Sequence, residues 1–437
     1  MKHLMTKLAM AGLILLAVTA GAHAMIDGVT GPDFIFTAKS DYISTPEGGR
    51  LFIWGYANGS DRAQYPGPTM LVNEGQTVTV TLNNALDVPV SILFPGQTGV
   101  TATEVAAPSQ PGLLTLEAGA AVDATPGGTV QYSFVASQPG TYLYHSGTEP
   151  ELQTHMGLVG ALIVYPTAGT GTVVPNQAYN HPDAAYTDET LFLETEMDPR
   201  INYAIETGHP EQVDINGFFP VVWFLNGRCA PDTMEKAMVP WLPTQPYNCM
   251  PMMHPGDKVL MRVIGGGRDL HPLHHHGNNA TVIARDGRML ASSPTSGPDL
   301  SVSVYTIQTV PGGTADAIFE WTGANLGWDI YGHQPGDPLE PNEYAPDHGK
   351  PLPVIMPGPQ DLAAGPTWNG SPFLGHMGLL PPGSASHNYG AGYYHMIHSH
   401  TEKEMVNNDV FPGGMMTMVL ILPPDVPFPD MMAMKKP

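Results

Sequence analysis

The strongest constraint on how this chain folds is that it repeats itself. Residues 73–82, Asn-Glu-Gly-Gln-Thr-Val-Thr-Val-Thr-Leu, set a glycine turn before an alternating run, and residues 254–263, His-Pro-Gly-Asp-Lys-Val-Leu-Met-Arg-Val, have the same form. A period of two marks a strand with one buried face. With Gly75 placed on Gly256, Leu93 falls on His274, Pro95 on His276 and Gly96 on Gly277. Pro-Gly-Gly-Thr turns follow at 126–129 and 311–314, then Tyr144-His145-Ser146 matches Ile397-His398-Ser399, and an apolar strand closes each copy at 160–165 and 416–422. The 437 residues include 49 Gly and 45 Pro, which punctuate helices and favour turns. The expected fold is all-β, with two related sandwiches at 26–166 and 185–427 joined by a linker at 167–184. From the Thr of the turn to the His of the His-Ser step, the first copy uses 16 residues and the second 84. The second sandwich therefore carries an insertion at about 323–392, long enough for a lid or an interface arm. Residues 428–437 read as a frayed tail.

The first 24 residues have a different character. Lys2 and Lys7 flank the start of an apolar run from Leu8 to Ala20, and Ala22-His23-Ala24 is a small-x-small cleavage site. This is the pattern of a secretory signal peptide and predicts export, to the periplasm or the extracellular space. The run is too short for a good membrane span, and no later stretch resembles one. A formal charge of −23 argues against nucleic acid as a partner, because phosphate binding needs a surplus of Lys and Arg. Cys229 and Cys249 are the two cysteines. In an exported chain they are expected to form a disulfide worth roughly 3 kcal/mol by loop-closure entropy.

The histidines carry the chemistry. His271-Pro-Leu-His274-His275-His276-Gly277 and His395-Met-Ile-His398-Ser399-His400 are two dense clusters. Residues two apart on a strand share a face, so His274 and His276 point one way, as do His398 and His400. If the two strands are neighbours, four imidazoles converge, a donor set suited to copper, zinc, iron or nickel. His271, Ser399 and Glu404 gather on the opposite face. Isolated histidines more often join hydrogen-bonded structural networks, which is the reading for His155, His254, His275 and His395. Met234, Met238, Met250, Met252 and Met253 would suit a soft Cu(I) surface, although core filling is the commoner role for such residues.

These motifs resemble the multicopper oxidase family, whose C-terminal cupredoxin domain carries His-Pro-x-His-x-His-Gly and His-Cys-His and whose N-terminal domain carries two His-x-His motifs. Pro66-Gly67-Pro68-Thr69, the strand from Gly140 to Ser146, the run from Gly157 to Val164 and Gly414-Met415-Met416 extend the resemblance over most of the chain. The usual middle domain is missing, as in two-domain laccase-like proteins. The resemblance implies two cupredoxin-like Greek-key sandwiches and copper as cofactor. By analogy with two-domain relatives it also implies a homotrimer. Of the cluster histidines it assigns, His145, His274, His276, His398 and His400 are present, while Leu93, Pro95 and Gly147 stand where others are expected. The blue-copper cysteine is replaced by Ser399 and its partner histidine by Glu404. His271 remains, with Met415 or Met416 as axial candidates. A type 1 site needs a thiolate, so the implied protein is an exported copper-binding oxidoreductase without type 1 copper. Its electron donor would be a small molecule, a metal ion or a redox protein. A non-catalytic cupredoxin scaffold that binds a redox partner or a polymer, and a copper storage or delivery protein, are the alternatives.

Overall fold

The computed structural model describes residues 26–350 and 393–422, apart from positions 124, 170, 326, 328, 330, 332, 335 and 342, together with 424, 427 and 428. The leader at 1–24, most of the insertion (351–392) and the tail from 429 to 437 lie outside the described residues.

The two repeats build the same pair of sheets. In the first, one sheet runs in the order Arg50–Asn58, Asp33–Ser44, Thr77–Asn84, Thr129–Val135, Thr101–Ala106. The facing sheet runs Val29–Thr30, Met70–Asn73, Val159–Tyr165, Gly140–His145. In the second repeat the first sheet runs Val222–Leu225, Asp188–Met197, Lys258–Gly265, Thr314–Glu320, Ala280–Arg285, with Arg288–Met289 and Val302–Val304 added at that last strand. Its partner runs Met252–Met253, Met416–Ile421, Tyr393–Ser399, His271–His275, Thr306–Thr309. Asp33–Ser44 lies parallel to Thr77–Asn84, and Asp188–Met197 parallel to Lys258–Gly265. Parallel neighbours need crossover connections rather than hairpins, which gives the Greek-key, cupredoxin-like sandwich. Among the described residues the α-helices are Pro150–His155 and Pro199–Glu206.

Alternation explains the first core. Val78, Val80 and Leu82 point inward from one strand and meet Phe34, Phe36, Tyr132, Phe134 and Tyr144. Lys258–Gly265 is buried on both faces instead. Val259, Met261 and Val263 join the core of the second sandwich. Ile264 joins a further apolar layer made with Leu191, Leu193 and Phe224 from the same repeat and Ile53, Leu71, Leu143 and Ile163 from the first. The sandwiches thus share a buried layer, and Arg262 lies buried at this junction. Its Nε donates to Glu189 at 2.8 Å and its Nη1 to Thr141 Oγ1, in the first repeat, at 3.0 Å, with Asp316 3.8 Å away. The backbones meet closely at Gly140 (φ 144°), where a Cβ would stand 2.8 Å from Gly287 Cα.

The expected disulfide is absent, and both thiols are free and buried. Cys229 sits in the layer between the repeats, whereas Cys249 sits in the core of the second sandwich with its Sγ 3.4 Å from the Leu191 carbonyl. They occupy different apolar layers, and burial pushes both thiols well above their ordinary pKa.

Replacing Arg262 by Met would leave Glu189 and Asp316 buried without their cation. Urea denaturation should show a loss of about 3–5 kcal/mol. A change below about 1 kcal/mol would mean that the cluster does not hold the repeats together.

Candidate metal centre

His271–His275 pairs antiparallel with Tyr393–Ser399, and the register sets His274 directly opposite His398. Pro272 does not disturb the alternation: His271, Leu273 and His275 are buried, while His274 and His276 are partly exposed. On this outer face the His274 ring centroid lies 5.0 Å from that of His276, 5.3 Å from His398 and 4.9 Å from His400. One ring nitrogen from each of His274, His276 and His398 lies within 4.8 Å of the others. His400 is exposed and stacks on His398 at 5.8 Å, at the rim of the group.

Hydrogen bonds fix two of the tautomers. His274 Nδ1 lies 2.7 Å from the Tyr305 carbonyl, and His398 Nδ1 lies 2.8 Å from the Ser399 carbonyl. A carbonyl only accepts, so each Nδ1 carries the hydrogen and each neutral ring keeps its lone pair on Nε2. His398 Nε2 is 3.2 Å from His276 Nε2. Burial and repulsion from His276, His274 and His400 hold the His398 pKa below its ordinary value, although the Ser399 carbonyl opposes them. Imidazoles that converge in this way, with His274 and His398 anchored through Nδ1, are a fitting donor set for copper or zinc.

The inner face of the same strands has another chemistry. His271 is fully buried, with Nδ1 2.9 Å from Glu404 and Nε2 2.9 Å from Glu196. Ser399 donates its hydroxyl to Glu404 at 2.5 Å. The Met415 side chain is in the apolar core, and its amide donates to the Glu404 carbonyl. Burial opposes charge on His271, but its bonds to Glu196 and Glu404 outweigh that and raise its pKa to about 10. With both nitrogens engaged by carboxylates, the protonated ring has no lone pair for a metal. Of the second metal group envisaged from His271, Ser399, Glu404 and Met415, the first three share one hydrogen-bonded network here, while Met415 packs in the core. Glu194 lies close by; burial raises its pKa to about 8, against the charge of His271 and the hydroxyl of Thr309. Sequence reasoning missed Glu196. Its signal was Glu194 and Glu196 directly after the apolar run Leu191-Phe192-Leu193 in the strand Asp188–Met197, since buried carboxylates need partners.

His145 is in the first repeat, where Leu93 bridges to it as His274 pairs with His398. Its Nδ1 lies 2.8 Å from the Ser146 carbonyl, and burial lowers its pKa. It is not part of the group formed by His274, His276 and His398. A Cβ on Gly147 would stand 2.7 Å from Leu93 Cγ, so the leucine fills the space that a side chain at 147 would need. His275 Nε2 accepts from the Ala280 amide at 2.9 Å, His155 Nε2 lies 3.1 Å from Asn202 Oδ1, and His254 stacks on Phe428. Met252 and Met253 are buried, Met234 and Met250 pack against Met418 and its neighbours, and Met238 is 44% exposed.

Residues 57–169 match the multicopper oxidase family. Among solved structures, a blue copper oxidase from Nitrosomonas europaea is 19% identical, with 91% of this chain and 88% of that one covered and a TM-score of 0.54. The multicopper oxidase mgLAC is 18% identical, with the same coverage and TM-score. At such identity the likeness is one of fold. No curated protein matches the chain.

Two expectations follow from the two repeats. The folded-state pKa of His271, about 10, lies above its ordinary value of 6.5, so its stabilisation is complete below pH 6.5 and is lost as the pH rises through about 10. Glu194 acts in the same direction between 4.5 and about 8. Denaturant midpoints should therefore fall as the pH is raised, and Glu404→Gln should flatten the alkaline part; a flat wild-type profile would show His271 to be uncharged. Gly147→Ala should cost about 1–3 kcal/mol through overpacking. A double-mutant cycle with Leu93→Ala should show coupling, and strict additivity would contradict the packing account.

Proposed function

We propose that this chain, which carries a multicopper oxidase domain at residues 57–169, is an exported copper-binding oxidoreductase centred on His274, His276 and His398, with no type 1 copper. The observation that carries this reading is the 3.2 Å approach of the Nε2 atoms of His276 and His398, with the Nδ1 atoms of His274 and His398 tied to carbonyls. Copper held there would supply one-electron chemistry. The chain itself anchors two of the rings to backbone carbonyls and leaves the rim open at His400.

The absent thiolate decides how electrons would arrive. The Ser399 hydroxyl is committed to Glu404 on the opposite face of the sheet. A donor must therefore reach the histidines from solvent, whether a small molecule, a metal ion or a redox protein. His145 would join the trio only from a second copy, which is the role a homotrimer would play. Export rests on the leader at 1–24, because the unpaired cysteines supply no redox argument.

A non-catalytic scaffold is the second reading, favoured by the way Leu93 fills the space beside Gly147. Copper storage on methionines has less support, since Met252 and Met253 are buried and Met234 and Met250 are partly buried against an apolar cluster.

Copper-reconstituted protein should hold copper by elemental mass spectrometry and show no intense thiolate charge-transfer band. His276→Ala and His398→Ala should each lower the copper content. Unchanged content in both variants would defeat the assignment. Oxidation of phenols or metal ions by the loaded protein would separate the enzyme from the scaffold.

A further inference from the structure

The insertion holds a polar cluster that none of the histidine motifs contains. We propose that Asp329, His333, Glu343 and His348 form a second metal site, which takes a divalent transition ion of the zinc type and ties together the segment 329–348. One ligand atom from each of the four lies within 4.8 Å of the others. The side chains are sheltered: Asp329 is 2% exposed, Glu343 3%, His333 11% and His348 21%. This is not a solvated acidic patch but two imidazoles and two carboxylates around one centre. Four protein donors of this kind are what a closed, structural zinc site uses.

The hydrogen bonds call for a proton or a metal ion between His348 and Glu343. His348 Nε2 lies 3.0 Å from the Asp337 carbonyl, which can only accept, so the ring hydrogen is on Nε2. Its Nδ1 then faces Glu343 Oε1 at 2.8 Å. A lone pair against a carboxylate is repulsive unless a proton or a metal lies between them. His333 Nδ1 faces two carboxylates at once, Asp329 at 3.0 Å and Glu343 at 3.1 Å, and one hydrogen serves two such acceptors poorly. The His333 and His348 rings are 4.6 Å apart, so protonating both would set two like charges side by side. One divalent ion balances both carboxylates and leaves the rings neutral.

The surroundings have the form of an outer shell. Asp329 accepts from the amides of Tyr331 and Gly349, each at 2.8 Å, and Glu343 Oε2 accepts from the Glu340 amide at 3.0 Å. A ligating histidine that donates its other nitrogen to a backbone carbonyl, as His348 does, is the usual orienting device. Among the described residues between 329 and 348 there is no strand, and the regular structure is the single 3-10 turn Ala345–Asp347. Among its described residues Tyr331 packs against the core of the second sandwich, and a metal is a common supplement where a segment has few such contacts.

The test uses the full chain, stripped with a chelator and titrated with zinc, then with cobalt(II) as a spectroscopic probe. The expected result is about one tightly held zinc per chain that survives combined His274→Ala, His276→Ala and His398→Ala. Added to that triple variant, His348→Ala and the near-isosteric Asp329→Asn should each abolish it, the second guarding against misfolding of the first. Cobalt should give the intense visible bands of a four-coordinate site, and zinc should raise the melting temperature of the parent but not of Asp329→Asn. Equal zinc content in the parent and both variants would overturn the proposal. So would the absence of zinc binding together with nuclear magnetic resonance evidence that His333 and His348 are both protonated at neutral pH.

Discussion

The antiparallel pairing of His271–His275 with Tyr393–Ser399 is the contact on which the rest depends. These strands are more than a hundred residues apart in the chain, and their register places His274 against His398. Because side chains alternate, the same pairing sends His271 and Ser399 inward. A slip of one residue would exchange the two faces, burying the converging imidazoles and exposing the charged network. One backbone register therefore sets both the open donor group and the closed one.

The inner network shows how a sandwich can keep charged and polar groups in its interior. An imidazolium between Glu196 and Glu404, with Ser399 on the same carboxylate, satisfies every ring donor. Buried charge is tolerated when it is paired and hydrogen-bonded, and removing one partner is costly. None of these groups is redox-active, so the electron chemistry proposed for this chain falls to the outer face.

The two repeats have diverged within one frame. His274 and His398 have Leu93 and His145 as counterparts, and the packing of Leu93 against Gly147 replaces donor nitrogens by carbon. The shared apolar layer and the buried Arg262 hold the sandwiches together whichever repeat retains metal chemistry.

Local periodicity was enough to read the repeat, the strand class and the facing of the histidines, since alternation and Gly/Pro turns are properties of neighbouring residues. Pairing between distant elements was not readable in that way. Cys229 and Cys249 looked like partners because they are the only two, but separate apolar layers keep them apart. Glu196 is linked to His271 across 75 residues of sequence, and nothing local names the strand that will face it. The quartet from Asp329 to His348 lay in a segment that read only as an insertion. The sequence by itself determined two β-sandwiches and the alternation of their histidines, because side-chain period and turn chemistry are short-range. The tertiary structure alone decided which rings meet, which carboxylates hold a proton and which cavity leucine fills, because those depend on sheet register and on how two sheets stack.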